Sequence, residues 1–371
     1  MAREKIKNYK RWVVKVGSAL LTDNGQGLNK RFIQQLAEQL AFLRQQNVEV
    51  LLVSSGSVAA GLSQLKMKGR PEKLNTLQAA AAVGQASLIR QYEEAFKPYS
   101  INIAQVLLTH SDISNRERYL NAKNTLSELL HLGVLAVINE NDTVATEEIC
   151  VGDNDNLAAL VSNLVGAELM VILTDQDGFF TADPRIDESA TLLHQVDASD
   201  DTLKSMASGA SSVGRGGMVT KLMAAQTASL SGSHTIIANG GEANIIQRLF
   251  DGEQIGTLFN ANERLNSKKQ WMAGQLKITG EFRLDEGAIN VIKVSGKSLL
   301  PVGVTQVGGD FRRGELVSCV DAKGKEIARG LTNYNSAEAE KIIGKPSNKI
   351  FDILGYGGDS ELIHRDNLVL V

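Results

Sequence analysis

From residue 12 to about 259 the chain alternates short apolar runs with segments of helical periodicity, and this alternation limits the fold more than any other feature. Apolar runs at 11–16, 48–53, 101–108, 134–138, 168–173 and 235–238 predict strands. Between them, 29–46, 58–65, 76–96, 115–131, 157–165 and 217–231 predict helices. In the first of these, Phe32, Leu36, Leu40 and Leu43 fall on one face behind Asn29 as N-cap. Strands alternating with helices predict an α/β fold: a mostly parallel sheet covered by helices on both faces. From about residue 276 the pattern changes. Strand-like runs at 281–284, 299–303, 314–320 and 326–330, separated by Gly-containing turns and joined by one short helix at 336–343, predict a small β-rich domain. The expected organisation is a first domain over 1–260, a polar linker over 261–275 and a second domain over 276–371.

Composition removes several classes of function. Lys+Arg number 39 and Asp+Glu 42, a formal net charge of −3, which disfavours a general nucleic-acid binder. The second domain carries 13 residues of each sign, so it too lacks a basic footprint, although Arg312, Arg313 and the 336–343 helix could form a local patch. Cys150 and Cys319 are the only cysteines and lie far apart, and the five His are scattered, so neither a disulfide framework nor a metal-ligand set is expected. The longest apolar runs, such as 50–53 and 169–173, are far too short to span a membrane, and residues 1–10 are polar and basic. A cytoplasmic enzyme is the resulting expectation.

In a parallel α/β sheet, ligands bind beyond the carboxyl ends of the strands, so chemistry is sought there. The first strand ends in Lys15-Val16-Gly17-Ser18. Burying an ammonium is costly, so Lys15 is either a phosphate-binding group or an edge-strand lysine reaching water. The second ends in Ser54-Ser55-Gly56-Ser57, a turn into a helix whose free N–H groups suit an anion, or simply a tight βα turn. Asn139-Glu140-Asn141-Asp142 ends the fourth and suits an amine or hydroxyl, or ordinary turn chemistry. Gly152-Asp153-Asn154-Asp155-Asn156 has more polar groups than capping requires, and clustered carboxylates need a cationic partner. Thr174 and Asp175 end the fifth strand, and Gly214-Arg215-Gly216-Gly217 leads into a helix that carries Lys221 about one turn in. Two lysines, two Gly-rich turns and an acidic cluster at one sheet edge are what phosphoryl transfer needs, since its catalysis is positioning plus charge neutralisation.

The segments VVKVGSALLT, VSSGSVAAG, NENDTVA, VGDNDNLAA, LTDQDGFFTADPR and GRGGMVTKLMAA resemble the amino acid kinase family, and within it the glutamate 5-kinases. The tail segments SLLPVGVTQVGGDFRRGELV, IARGLTNYNS and EKIIGKPS are similar to a PUA domain. The resemblance implies an amino acid kinase fold with a small C-terminal PUA-like domain. It also implies transfer from ATP to the γ-carboxylate of L-glutamate, the first step of proline synthesis. Mg²⁺ would be held mainly by the ATP phosphates. Residues matching the family's catalytic groups are Lys15, Lys221 and Asp155, the last holding both lysines in place. Those matching its glutamate site are Ser55, Gly56, Asp142, Asp153 and Asn154. Its nucleotide site corresponds to Lys15, Thr174, Asp175, Arg215, Gly216, Gly217, Met218, Val219, Thr220 and Lys221. A carboxylate nucleophile is already ionised at neutral pH and needs no general base, which fits the lack of a Ser–His or Cys–His pair. The resemblance further implies a homo-oligomer, feedback inhibition by proline with the 62–76 loop near the inhibitor, and glutamyl phosphate reductase as functional partner.

Overall fold

The structure is a computed structural model that describes residues 3–22, 27–67, 69–144, 154–208, 217–261, 278–356 and 358–371. The chain divides into two units, Met1–Arg264 and Leu265–Val371. The expected linker at 261–275 lies, apart from its first residue, outside the described residues.

The first unit is built on an eight-stranded sheet in the order β3-β4-β2-β1-β5-β7-β8-β6. Its strands are β1 Arg11–Val16, β2 Glu49–Ser54, β3 Ile103–Leu108, β4 Leu135–Glu140, β5 Leu169–Thr174, β6 Gln195–Asp197, β7 His234–Asn239 and β8 Thr257–Asn260. Pairing is parallel from β3 through to β7, so these strands end at one edge. β8 runs antiparallel to β7, and short β6 pairs parallel with β8. β1 leads to β2 on one side while β5 lies on its other side, so the topological switch falls at β1.

Alternation along β1 sorts its side chains between two layers. Trp12, Val14 and Val16 join a core with Leu52, Val171, Leu36, Leu40, Leu88 and Phe96, the last four from helices Lys30–Gln45 and Leu74–Phe96. Val13 and Lys15 face the other way, toward the helix Asn154–Val165, which is buried along its whole length. Asn29 caps Lys30–Gln45 as its sequence suggests, accepting from Phe32 N at 3.0 Å. The helix Asn154–Val165 begins three residues before the expected start at 157, so Asn154 and Asp155 lie in its first turn rather than in a loop ahead of it. A carboxylate there is favoured by the helix dipole.

Helices Ser57–Gln64 and Leu74–Phe96 touch backbone to backbone. A Cβ on Gly84 would sit 1.8 Å from Ser57 O, and one on Gly61 would sit 1.7 Å from Ala80 O. Only residues without a side chain permit that approach. It pins the start of Ser57–Gln64, just beyond the β2 carboxyl end, to the long helix.

The second unit has a five-stranded sheet in the order β10-β9-β11-β12-β13. These are β9 Gly280–Leu284, β10 Val304–Gly309, β11 Leu316–Val320, β12 Glu326–Leu331 and β13 Leu368–Leu370. Phe282 and Phe311 meet edge to face at 5.5 Å in its core. The expected strand at 299–303 is not one: Leu299 makes a lone bridge to Ile363, and Pro301–Gly303 forms a 3-10 turn. Pro301 has no N–H for a ladder and its fixed φ suits the turn, so the strand begins at Val304. A helix at Glu286–Ser295, which the sequence did not suggest, is capped by Asp285 and ends at left-handed Gly296. The basic pair Arg312-Arg313 does not stand alone, because Arg313 pairs with Asp359 at 2.7 Å.

Candidate active site

At the common carboxyl edge, β1 lies between β2 and β5, so Lys15 is not on an edge strand. Of the two sequence readings, the water-reaching edge lysine is therefore excluded. The Lys15 side chain is 7% exposed, and its Nζ lies 2.6 Å from Asp155 Oδ1. Lys221, in the first turn of the helix Met218–Ser229, is equally buried, and its Nζ lies 3.2 Å from Asp155 Oδ2. Thr220 Oγ1 donates to the same Oδ2 at 2.9 Å. One carboxylate thus binds two ammonium groups from different elements. Burial alone would push the Asp155 carboxyl up, and that is the largest single effect. The Lys15 and Lys221 charges with the Lys15 and Thr220 hydrogen bonds outweigh it, holding the group below its usual range.

Asn154, the neighbour of Asp155, belongs to a second cluster. Its Nδ2 donates to Ser55 Oγ at 2.8 Å, Asn139 Oδ1 at 3.0 Å and Ser54 O at 3.3 Å. Asp142 Oδ2 accepts from Ser57 Oγ at 2.9 Å. Between Ser55 and Ser57, Gly56 takes φ +99°, a left-handed conformation that favours glycine. The turn that follows β2 therefore gathers Ser55, Gly56, Asp142 and Asn154. Thr174 is buried at the end of β5 and donates to Asp175 Oδ1 at 3.0 Å. Gly217, Met218, Val219 and Thr220 open the Lys221 helix, with Gly217 and Val219 exposed. Asp153, Arg215 and Gly216 lie outside the described residues.

Two polar residues behind the site, Gln85 and Tyr92, were not singled out in the sequence. Asn139 Nδ2 donates to Gln85 Oε1 at 2.7 Å, and Ser54 Oγ shares a hydrogen bond with Tyr92 OH at 2.8 Å. Burial pushes the Tyr92 phenol up, so it stays a neutral hydroxyl. Gln85 and Tyr92 are seven apart in one helix, which places both on the face toward β2 and β4; that spacing was the available signal.

Chemically, the arrangement divides along the sheet edge. The β1, β5 and Met218–Ser229 side offers cations to phosphate, while the β2 and β4 side offers hydroxyls, an amide and a carboxylate to a small polar acceptor. Among the described residues no three His, Cys, Asp or Glu side chains converge as a metal cage. This is the layout of a small-molecule kinase. The amino acid kinase family model matches residues 10–239, and the PUA domain model matches 280–354. The "Glutamate 5-kinase" of Methylococcus capsulatus is 54% identical over 371 residues, covering 100% of this chain and 99% of that protein. The protein of the same name from Nitrosospira multiformis is 54% identical over 368 residues, covering 99% of each. Among solved structures, UMP kinase from Ureaplasma parvum aligns at a TM-score of 0.48 and 16% identity, over 68% of this chain and 99% of that one. The chain belongs to the amino acid kinase family and, within it, to the glutamate 5-kinases that carry a PUA domain.

Proposed function

We infer that this chain is a glutamate 5-kinase, transferring the γ-phosphoryl group of ATP to the γ-carboxylate of L-glutamate to give L-glutamyl 5-phosphate, which commits glutamate to proline synthesis. The observation that carries the mechanism is the sharing of Asp155 by two buried lysines at the point where the polar acceptor cluster begins. In this reading Lys15 and Lys221 draw charge from the transferring phosphoryl group as it leaves ADP, and Asp155 holds both ammonium groups in register without acting as base. The acceptor carboxylate attacks in its ionised form. Asp142 and Asn154 receive the substrate ammonium, and the Ser55-Gly56 turn receives a carboxylate through its hydroxyl and backbone N–H. Thr174, Asp175 and the segment from Gly217 to Lys221 border the nucleotide. Mg²⁺ would arrive on the ATP phosphates and neutralise them there. Asp153, Arg215 and Gly216 keep the roles implied by the family resemblance.

The same reading includes a homo-oligomer, a cytoplasmic location, glutamyl phosphate reductase as the consumer of the product, and feedback inhibition by proline. Proline resembles a cyclised form of the product, so a site overlapping that of glutamate is physically reasonable, bordered by the expected 62–76 loop, whose two ends belong to the helices Ser57–Gln64 and Leu74–Phe96. Among the described residues no helix is long and apolar enough to cross a membrane. We further propose the division 1–260, 261–275 and 276–371, supported by the separate cores of the two units.

The direct test is ADP formation with glutamate, aspartate, acetylglutamate or a nucleoside monophosphate as acceptor, with and without proline. Glutamate should be preferred; turnover with a nucleotide acceptor alone would reject the assignment. Asn154→Ala and Asp142→Ala should each raise the glutamate KM by about tenfold or more and move the ATP KM little, since each removes a charged or amide contact to one substrate only. Equal rises in both constants would place these side chains outside the acceptor site.

A further inference from the structure

The orientation of the Asn154 amide is set from a distance. Asn139 Oδ1 accepts from its neighbour's backbone, Glu140 N, at 2.9 Å. A backbone N–H can only donate, so this bond fixes which end of the Asn139 amide is oxygen. The opposite end, Asn139 Nδ2, must then donate, and it meets Gln85 Oε1 at 2.7 Å. The same Asn139 oxygen also accepts from Asn154 Nδ2, whose other partners include the carbonyl of Ser54. With its nitrogen so engaged, the Asn154 amide leaves only Oδ1 for a ligand. That oxygen makes no hydrogen bond among the described residues. Gln85 Nε2 likewise meets no acceptor among them, so nothing competes for the Gln85 amide except Asn139.

Gln85 itself is 7% exposed. Its place is not adjustable, because the preceding Gly84 lies in backbone contact with Ser57 of the acceptor turn. We propose that Gln85 is a positioning residue of the acceptor site: by holding the Asn139 amide it keeps the Asn154 carbonyl oxygen turned toward the substrate ammonium. This rests on the assignment of Asn154 to glutamate binding. Without Gln85, the Asn139 nitrogen loses its acceptor, and the amide is held only through its oxygen, by Glu140 N and Asn154 Nδ2. Asn154 Nδ2 then has a less firmly placed partner in Asn139 and relies on Ser54 O at 3.3 Å and on the Ser55 hydroxyl, so its carbonyl oxygen is held less firmly toward the substrate.

The test is steady-state kinetics on the full chain, with thermal unfolding to verify folding. Gln85→Met keeps the volume and removes the acceptor, and Gln85→Ala serves the same purpose in a helix-favouring residue should Met disturb packing. Either should raise the glutamate KM by about tenfold, with kcat and the ATP KM within about threefold. In an Asn154→Ala background the same change should leave the glutamate KM where Asn154→Ala alone puts it, because the element being positioned is gone. Gln85→Glu retains an oxygen facing Asn139 and should recover most of the lost affinity. An unchanged glutamate KM in a folded Gln85→Met or Gln85→Ala would overturn the proposal. So would equal rises in both KM values, full additivity with Asn154→Ala, or a Gln85→Glu loss as large as that of Gln85→Met. Failure of the glutamate assignment would instead appear in the unmodified chain, as no glutamate-dependent ADP formation.

Discussion

Lys221→Ala is expected to lower kcat by about three orders of magnitude while leaving the glutamate KM within a few-fold, as for the loss of a group whose partner charge develops in the transition state. The expectation follows from where the ammonium sits. It is buried in the first turn of the helix Met218–Ser229 and tied to a carboxylate that is itself held by Lys15. Such a group is worth most where water is excluded and no reorganisation is needed. The fold should survive the change, because Asp155 keeps its 2.6 Å pairing with Lys15 and its bond from Thr220. Circular dichroism and ADP release measured on the same preparation check both halves. A folded variant with near-normal kcat would show Lys221 to be a structural cation.

Asp155→Asn should have the opposite balance, with a large effect on stability as well as on rate. Removing the carboxylate leaves two buried ammonium groups facing a neutral amide. Breaking a buried pair in this way typically costs about 3–5 kcal/mol, and here one residue breaks two. A fall in Tm of about 10 °C and a loss of kcat of at least about a hundredfold are expected. ATP supplies the missing anion, so the Tm gain on adding nucleotide should be larger in the variant than in the unmodified chain. The pH dependence has a definite sign. The Asp155 carboxyl titrates below its usual value when folded, so its contribution is complete above about pH 4 and is lost as the pH falls through the lowered value. Acid unfolding curves of the two proteins should converge on that limb. A variant as stable as the unmodified chain at neutral pH would mean that the lysines are not charged together.

How much of this was readable beforehand depends on where the chemistry sits. Lys15, Ser55, Asp142 and Thr174 stand out because they interrupt or follow the apolar runs of strands, and Asn154 and Asp155 because their polar cluster exceeds what capping the next helix requires. Gln85 and Tyr92 gave no such contrast. They lie in an Ala-rich helix where one Gln reads as solvent-facing, and only the pairing of that helix with β2 and β4 gives them partners. In the second unit, the helix Glu286–Ser295 was hidden by its Val and Ile content, which favours strands by local propensity. Asp285 and Gly296 were its legible signals. β10 was missed for the complementary reason, since VTQVGG lies at the sheet edge with few buried side chains.

Asn154 and Asp155 are consecutive in one helical turn, so their side chains leave the axis about 100° apart. The amide belongs to the acceptor cluster and the carboxylate to the two lysines. The boundary between the two substrates is therefore written as a phase angle. Insertions upstream of the helix would leave that phase intact, whereas deleting one residue between Asn156 and Leu160 would turn the first turn by the same angle against the packed remainder. Both half-sites would then misalign together although every functional residue was still present, a lesion invisible to any comparison of residue types alone.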